Sequence, residues 1–280
     1  MAFLDSTSNT VIDKFASLEH KSFAQPSSEV LSNTEVKITA SDGAASDSFG
    51  GSIAIGSGRI VIGARGDDDN GSGSGSAYIF DLDGNQLAKI NAGSSNDSFG
   101  TSVAVGSGRI VVGASGDFSG FFNSGSAYIF DLNGNQLSQI TPSDPVEFGN
   151  FGSSVAVGSG RIVVTAPNNN SSVYIFDLDG NELKKITAVG SRVAVGNGRI
   201  LVGDSGDDDN GSNSGAAYIF DLDGNELTKI TASDGASGDE FGRSVAVGSG
   251  RIVIATPSSS SGSAYIYDTP DIQHTLDILE

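Results

Sequence analysis

Two acidic triplets are the groups in this chain best equipped for chemistry. Asp67, Asp68 and Asp69 lie in Gly66-Asp67-Asp68-Asp69-Asn70-Gly71, and Asp207, Asp208 and Asp209 lie in the near copy that ends at Gly211. Calcium takes about six to eight oxygen ligands, which clustered carboxylates and nearby carbonyls can supply. The six aspartates are therefore candidate calcium ligands. Their spacing is not that of an EF-hand, and a solvated, turn-rich acidic loop is the alternative. Arg65-Gly66-Asp67 spells an adhesion tripeptide. The same loop position reads Ser-Gly-Asp at 115–117 and 205–207, so the match is taken as chance.

Five arginines recur in one setting: Arg59, Arg109, Arg161, Arg199 and Arg251, each between a glycine and an isoleucine. A basic ring could hold an anion. Antiparallel pairing, however, sets Arg59 beside Asp81, Arg109 beside Asp131, Arg161 beside Asp177, Arg199 beside Asp221 and Arg251 beside Asp268. Structural Arg–Asp pairs are the expectation. Phe118, Phe121 and Phe122 stand in an otherwise polar loop, where aromatic surface is costly to leave in water. They are candidate partner contacts, with local packing over a neighbouring sheet as the alternative.

Catalysis finds little support. There is no cysteine, and the only histidines, His20 and His274, fall outside the repeated sequence. No serine has a base nearby in the pattern. Paired carboxylates can hydrolyse glycosides, but Gly/Ser-rich loops are a poor scaffold for that geometry. The chain is expected not to be an enzyme, with glycan hydrolysis as the enzymatic alternative.

The elements that must position these groups are written in a repeat. Gly-Arg-Ile recurs at 58–60, 108–110, 160–162, 198–200 and 250–252. A repeat of roughly 40–50 residues with several short strands is the pattern of a propeller blade. In the first unit, Ser52–Ile55 alternates as a strand and Gly56-Ser57-Gly58 turns. Arg59–Gly63 is a β-branched run suited to burial on both faces. A polar loop follows, then a strand at Ser76–Phe80. Asp81-Leu82-Asp83-Gly84-Asn85 reads as a hairpin turn and Gln86–Ile90 as a fourth strand. The expected fold is all-β: a five-bladed propeller of four-stranded antiparallel blades. The last unit breaks its pattern at Thr269-Pro270. Residues 36–40, which match the fourth strand of the preceding unit, are expected to complete it and close the ring.

The Phe-Gly starts at Phe49, Phe99, Phe151 and Phe241, with the Gly-Ala ends at Gly63 and Gly113, resemble FG-GAP repeats, the units of integrin α-subunit propellers. The resemblance covers about residues 36–268. It implies a propeller and leaves the ligand open. Integrin-like propellers have seven repeats, against five here. The family's Asp-rich calcium loops between the first two strands are replaced by Gly-Ser-Gly or Gly-Asn-Gly, so those sites do not transfer.

Within a meander blade, the short turns share one face and the variable loops share the other. The variable face holds most of the aspartates and is the candidate binding face. Residues 1–35 form an N-terminal extension, in which Val11, Ile12, Phe15 and Leu18 lie at helical spacing as a candidate anchor. Residues 269–280 form a tail. A net charge of −19 argues against nucleic acid, and no apolar run is long enough for membrane insertion. The N-terminus carries neither the basic region nor the apolar stretch of a secretory signal. These features together suggest a non-enzymatic binding or structural propeller. The leading expectation is a bacteriophage virion component, a tail appendage or capsid decoration assembled in the host cytoplasm. It would join other virion proteins through its termini and meet a host-surface glycan or protein through the acidic face. The alternative is a secreted adhesin or calcium-dependent carbohydrate binder exported without an N-terminal signal peptide.

Overall fold

Antiparallel hairpins account for every strand in the computed structural model, which describes residues 35–117, 123–187, 189–257 and 262–269. The first sheet contains β1 (Phe49–Gly56), β2 (Arg59–Ala64), β3 (Ser76–Phe80) and β4 (Gln86–Ile90). The second contains β5 (Phe99–Gly106), β6 (Arg109–Ala114), β7 (Ser126–Phe130) and β8 (Gln136–Ile140). The third contains β9 (Val155–Gly158), β10 (Arg161–Ala166), β11 (Ser172–Phe176) and β12 (Glu182–Ile186). The fourth contains β13 (Arg192–Gly196), β14 (Arg199–Asp204), β15 (Ala216–Phe220) and β16 (Glu226–Ile230). The fifth has three strands, β17 (Ser244–Gly248), β18 (Arg251–Thr256) and β19 (Ser263–Asp268). The compact unit carrying these sheets starts at Ile38. Val11, Ile12, Phe15, Leu18, Phe118, Phe121, Phe122, His20 and His274 lie outside the described residues.

Local chemistry explains the meander. Gly56 pairs with Arg59 across a two-residue turn, and Ser57 and Gly58 both take positive φ, at 48° and 73°. That is the type I′ geometry whose twist matches a hairpin. Residues Arg59–Ala64 then run through the sheet interior, and β3 is buried along its whole length. The fourth strand is more exposed: Leu87 faces solvent, its neighbours are half-buried and only Ile90 is buried, as suits an outer strand.

The first strands β1, β5, β9, β13 and β17 pack in that order and line one central cavity of about 390 Å³ with valine, alanine and Ile55. Neighbouring strands approach closely there because each ends in glycine. A Cβ on Gly106 would lie 2.6 Å from the Val157 carbonyl oxygen. Four apolar clusters fill the spaces between consecutive sheets.

The expected closure is not formed. Residues 36–40 carry no strand, and β19 has no outer partner among the described residues. Ile38 and Ala40 instead pack against the Tyr78–Phe80 cluster of the first sheet. Ser41 accepts a bond at its hydroxyl from Gln86 and donates its N–H to Gln86 Oε1. The segment thus occupies the position from which residues before the third sheet meet their own neighbour, since Ser143 N–H bonds Glu182 in the same way. What it lacks is pairing with β19. Ile55 of β1 and Ile266 of β19 are both exposed, so the place where the segment would meet β19 is not formed among the described residues.

Candidate functional site: the acidic loop face

Both kinds of variable connection meet on one face. The Gly66 N–H donates to the Asp47 carbonyl, linking the β2–β3 loop to the segment before β1, and Gly116 and Asp97 repeat the bond. The short turns share the opposite face, where Arg59 of the first sheet reaches Leu132 of the second.

The acidic triplets are built around a tyrosine and a lysine. Strand pairing sets Tyr78 opposite Lys89. Asp67 is buried, and its carboxylate lies 2.9 Å from Lys89 Nζ and 3.1 Å from the Tyr78 hydroxyl. Lys89 also donates to Asp42 and Asp69, and its ammonium stands 5.3 Å over the Tyr78 ring. Asp68 turns away to accept the Gly73 N–H at 2.7 Å. The fourth sheet repeats the motif. Lys229 Nζ lies 2.6 Å from both Asp207 and Asp209, Tyr218 donates to Asp207, and Asp208 accepts the Asn213 N–H.

The other sheets vary one theme. Tyr174 and Lys185 both bond Asp144, which arrives from the segment before the third sheet. Tyr128 donates to Asp117, with Gln139 in the place of the lysine. Tyr265 donates to Asp234.

Burial alone would raise the Asp67 and Asp207 carboxyls. The ammoniums of Lys89 and Lys229 override it and hold both below the ordinary value of 3.8. Asp42 is held low chiefly by its bond from Lys89. Desolvation would lower Lys89, but its three carboxylates raise it well above 10.5. The hydrogen bond to Asp234, followed by burial, pushes Tyr265 up to about 12.

Each cage of oxygens is thus filled by the protein's own ammonium. Among the described residues no three acidic or histidine side chains form a group that could hold a metal ion. Asp67 and Asp69, and Asp207 and Asp209, are brought together as expected, but around lysine. Asp68 and Asp208 serve their own loops. Sequence reasoning missed Tyr78, Lys89, Tyr218 and Lys229. Their signal was the recurrence of Lys or Gln opposite Tyr, legible once the fourth strand is set in register.

The Arg–Asp pairs are corrected. Among the described residues Arg251 makes a direct ion pair with its expected partner, Asp268, and Arg199 acts on Asp221 at longer range. Asp81 accepts the N–H groups of Asp83 and Asn85 and the Asn85 side-chain amide, so its own turn consumes it. Asp131, Asp177 and Asp221 do the same. The freed guanidiniums cross to the next sheet. Nε of Arg59, Arg109 and Arg161 donates to the carbonyls of Leu132, Leu178 and Leu222 at 3.0, 3.2 and 3.0 Å. Arg199 donates to the Gly198 carbonyl in its own turn.

Comparison with protein families agrees with the repeat pattern. The FG-GAP repeat model matches residues 33–80, 85–130, 188–220 and 225–267, more than half of the chain. No curated protein sequence matches. Among solved structures, the crystal structure of BamB from Moraxella catarrhalis is similar at 13% identity and a TM-score of 0.48, over 78% of this chain. The present chain spans 59% of the length of that one. With its Phe99, Phe151 and Phe241 buried at the starts of three of the repeats and its β-propeller repeat fold, the chain belongs to the FG-GAP repeat family.

Proposed function

We propose that the protein is a non-enzymatic binding scaffold, a five-bladed propeller that serves as a bacteriophage virion component in assembly or host-surface contact. The observation that carries the reading is the bracing of the variable face. Tyr78–Asp67–Lys89 and Tyr218–Asp207–Lys229 fasten long polar loops to the sheets beneath them. Loops held in this way offer a partner a preformed surface and save ordering entropy on binding. The exposed carboxylates of Asp69 and Asp209 give that surface its sign, which suits a partner with basic or hydrogen-bond-donating groups.

Attachment to the particle falls to the N-terminal extension and its apolar residues Val11, Ile12, Phe15 and Leu18. Deleting residues 1–35 is expected to abolish incorporation into purified particles while the repeats still unfold cooperatively. Normal incorporation of the truncated protein would overturn the assignment of the anchor. Failure of the full-length protein to join particles would overturn the virion reading.

A further inference from the structure

Two arginines break the repeat at one place on the loop face. Ser52, Ser102, Ser154 and Ser244 stand near the starts of four first strands, and the fourth repeat has Arg192 in their place. One residue earlier, Gly51, Thr101, Ser153 and Ser191 give way in the fifth repeat to Arg243. The small side chains serve the fold. The hydroxyls of Ser52 and Ser102 donate to the Gly100 and Gly152 carbonyls of the next sheet, at 2.8 and 2.7 Å. Thr101 and Ser153 donate to the carbonyls of Ser98 and Asn150 in their own turns, both at 2.7 Å. A guanidinium at the end of a long stem replaces neither short contact.

Strand register sets Arg192 opposite Gly203, so both lie on one side of the fourth sheet. A Cβ on Gly203 would lie 2.0 Å from the Gly242 carbonyl oxygen. That side therefore faces the start of β17, where Arg243 follows Gly242. Val193 and Val245, just beyond the two arginines, line the central cavity, which places the pair at the loop-face rim of that cavity. Arg192 is half-buried. Its guanidinium donates to the Ser191 carbonyl at 3.3 Å and forms no ion pair among the described residues. Burial, and then the charge of Arg243, hold Arg192 below the ordinary guanidinium value. Arg243 meets Glu240 at 3.4 Å, but their side chains are 54% and 39% exposed, and water screens the pair. A cation drawn partly out of water beside a like charge costs stability. Such a departure from an otherwise consistent repeat is what a binding site produces.

We propose that Arg192 and Arg243 form a binding site for one oxyanion group, a carboxylate or a phosphate, carried by an otherwise neutral ligand. Guanidiniums present forked donors that grip such groups bidentately. A chain of net charge −19 repels a polyanion, which restricts the ligand to a single charged group. The site depends neither on the virion reading nor on the surface around Asp69 and Asp209.

Arg192→Ser restores the residue of the other four repeats. It is expected to fold and to raise Tm in the absence of ligand. A lowered Tm would show that the arginine serves the fold and would overturn the proposal. Binding is read by calorimetric titration of the full chain at constant ionic strength, with inorganic phosphate, glucuronate and, as the uncharged control, glucose. Saturable binding of at least one anion and none of glucose is expected. Both Arg192→Ser and Arg243→Ser should weaken it by about tenfold or more. Arg65→Ser, which removes an exposed arginine outside the pair, should leave it unchanged. Tighter glucuronate assigns the site to an acidic sugar, and tighter phosphate assigns it to a phosphate group. No saturable binding of either anion, or equal binding in Arg192→Ser, would overturn the proposal. The titration is made on the isolated protein, so failure of this site and failure of the virion reading are separate results.

Discussion

Lys89 and Lys229 are the residues on which the loop face depends. Each compensates an aspartate that would otherwise be a buried, unpaired charge. Lys89→Met is expected to destabilise the protein by about 2–3 kcal/mol in urea unfolding, below the full buried-pair range because Asp42 and Asp69 stay hydrated. Lys89→Gln should cost less, since Gln139 already serves Tyr128 and Asp117 in the second sheet. Equal losses would mean that the charge matters and the hydrogen bonds do not.

The same groups set a pH window. The depressed pKa values of Asp67 and Asp207 contribute stability that is present above 3.8 and lost as pH falls through their folded values. The raised Lys89 contributes stability that is full below 10.5 and lost only as pH rises through its higher folded value. Tm measured against pH should therefore hold a plateau between those limits and fall on both sides. Calcium and chelator should each leave Tm unchanged at neutral pH, because the ammoniums already fill the carboxylate cages. A rise with calcium would show that the lysines yield to it.

At the scale of elements, the arginines hold one sheet to the next and the aspartates hold their own turns. A double-mutant cycle between Arg109 and Asp131 should give a coupling near zero. Each single alanine variant should cost about 1 kcal/mol, by losing the Leu178 carbonyl bond or the Asn135 bonds respectively. A coupling of the same size as the single effects would restore the ion pair. The sequence placed arginine and aspartate correctly at one edge of the sheet. It did not reveal that Asn85, four residues from Asp81, captures the carboxylate first, and a contact so local needs little chain closure. The third and fourth strands of the first unit were legible to the residue. β1 begins three residues earlier than its alternation showed, because a bulge between Phe49 and Ser52 breaks the period. Lys89 escaped notice because 22 residues separate it from Asp67. Only the register of β3 against β4 brings them together.

For the whole molecule, repetition made the propeller repeat fold legible, and the meander, which puts the variable loops on one side, made the face on which the aspartates collect legible. The partner was not, because the braced loops state a surface chemistry without naming what meets it. Quantitative proteomics of density-purified particles against cell-free supernatant of the native source tests the functional claim most directly. The account predicts enrichment with particles at a fixed ratio to other particle proteins. Free protein in the supernatant, absent from particles, would contradict it.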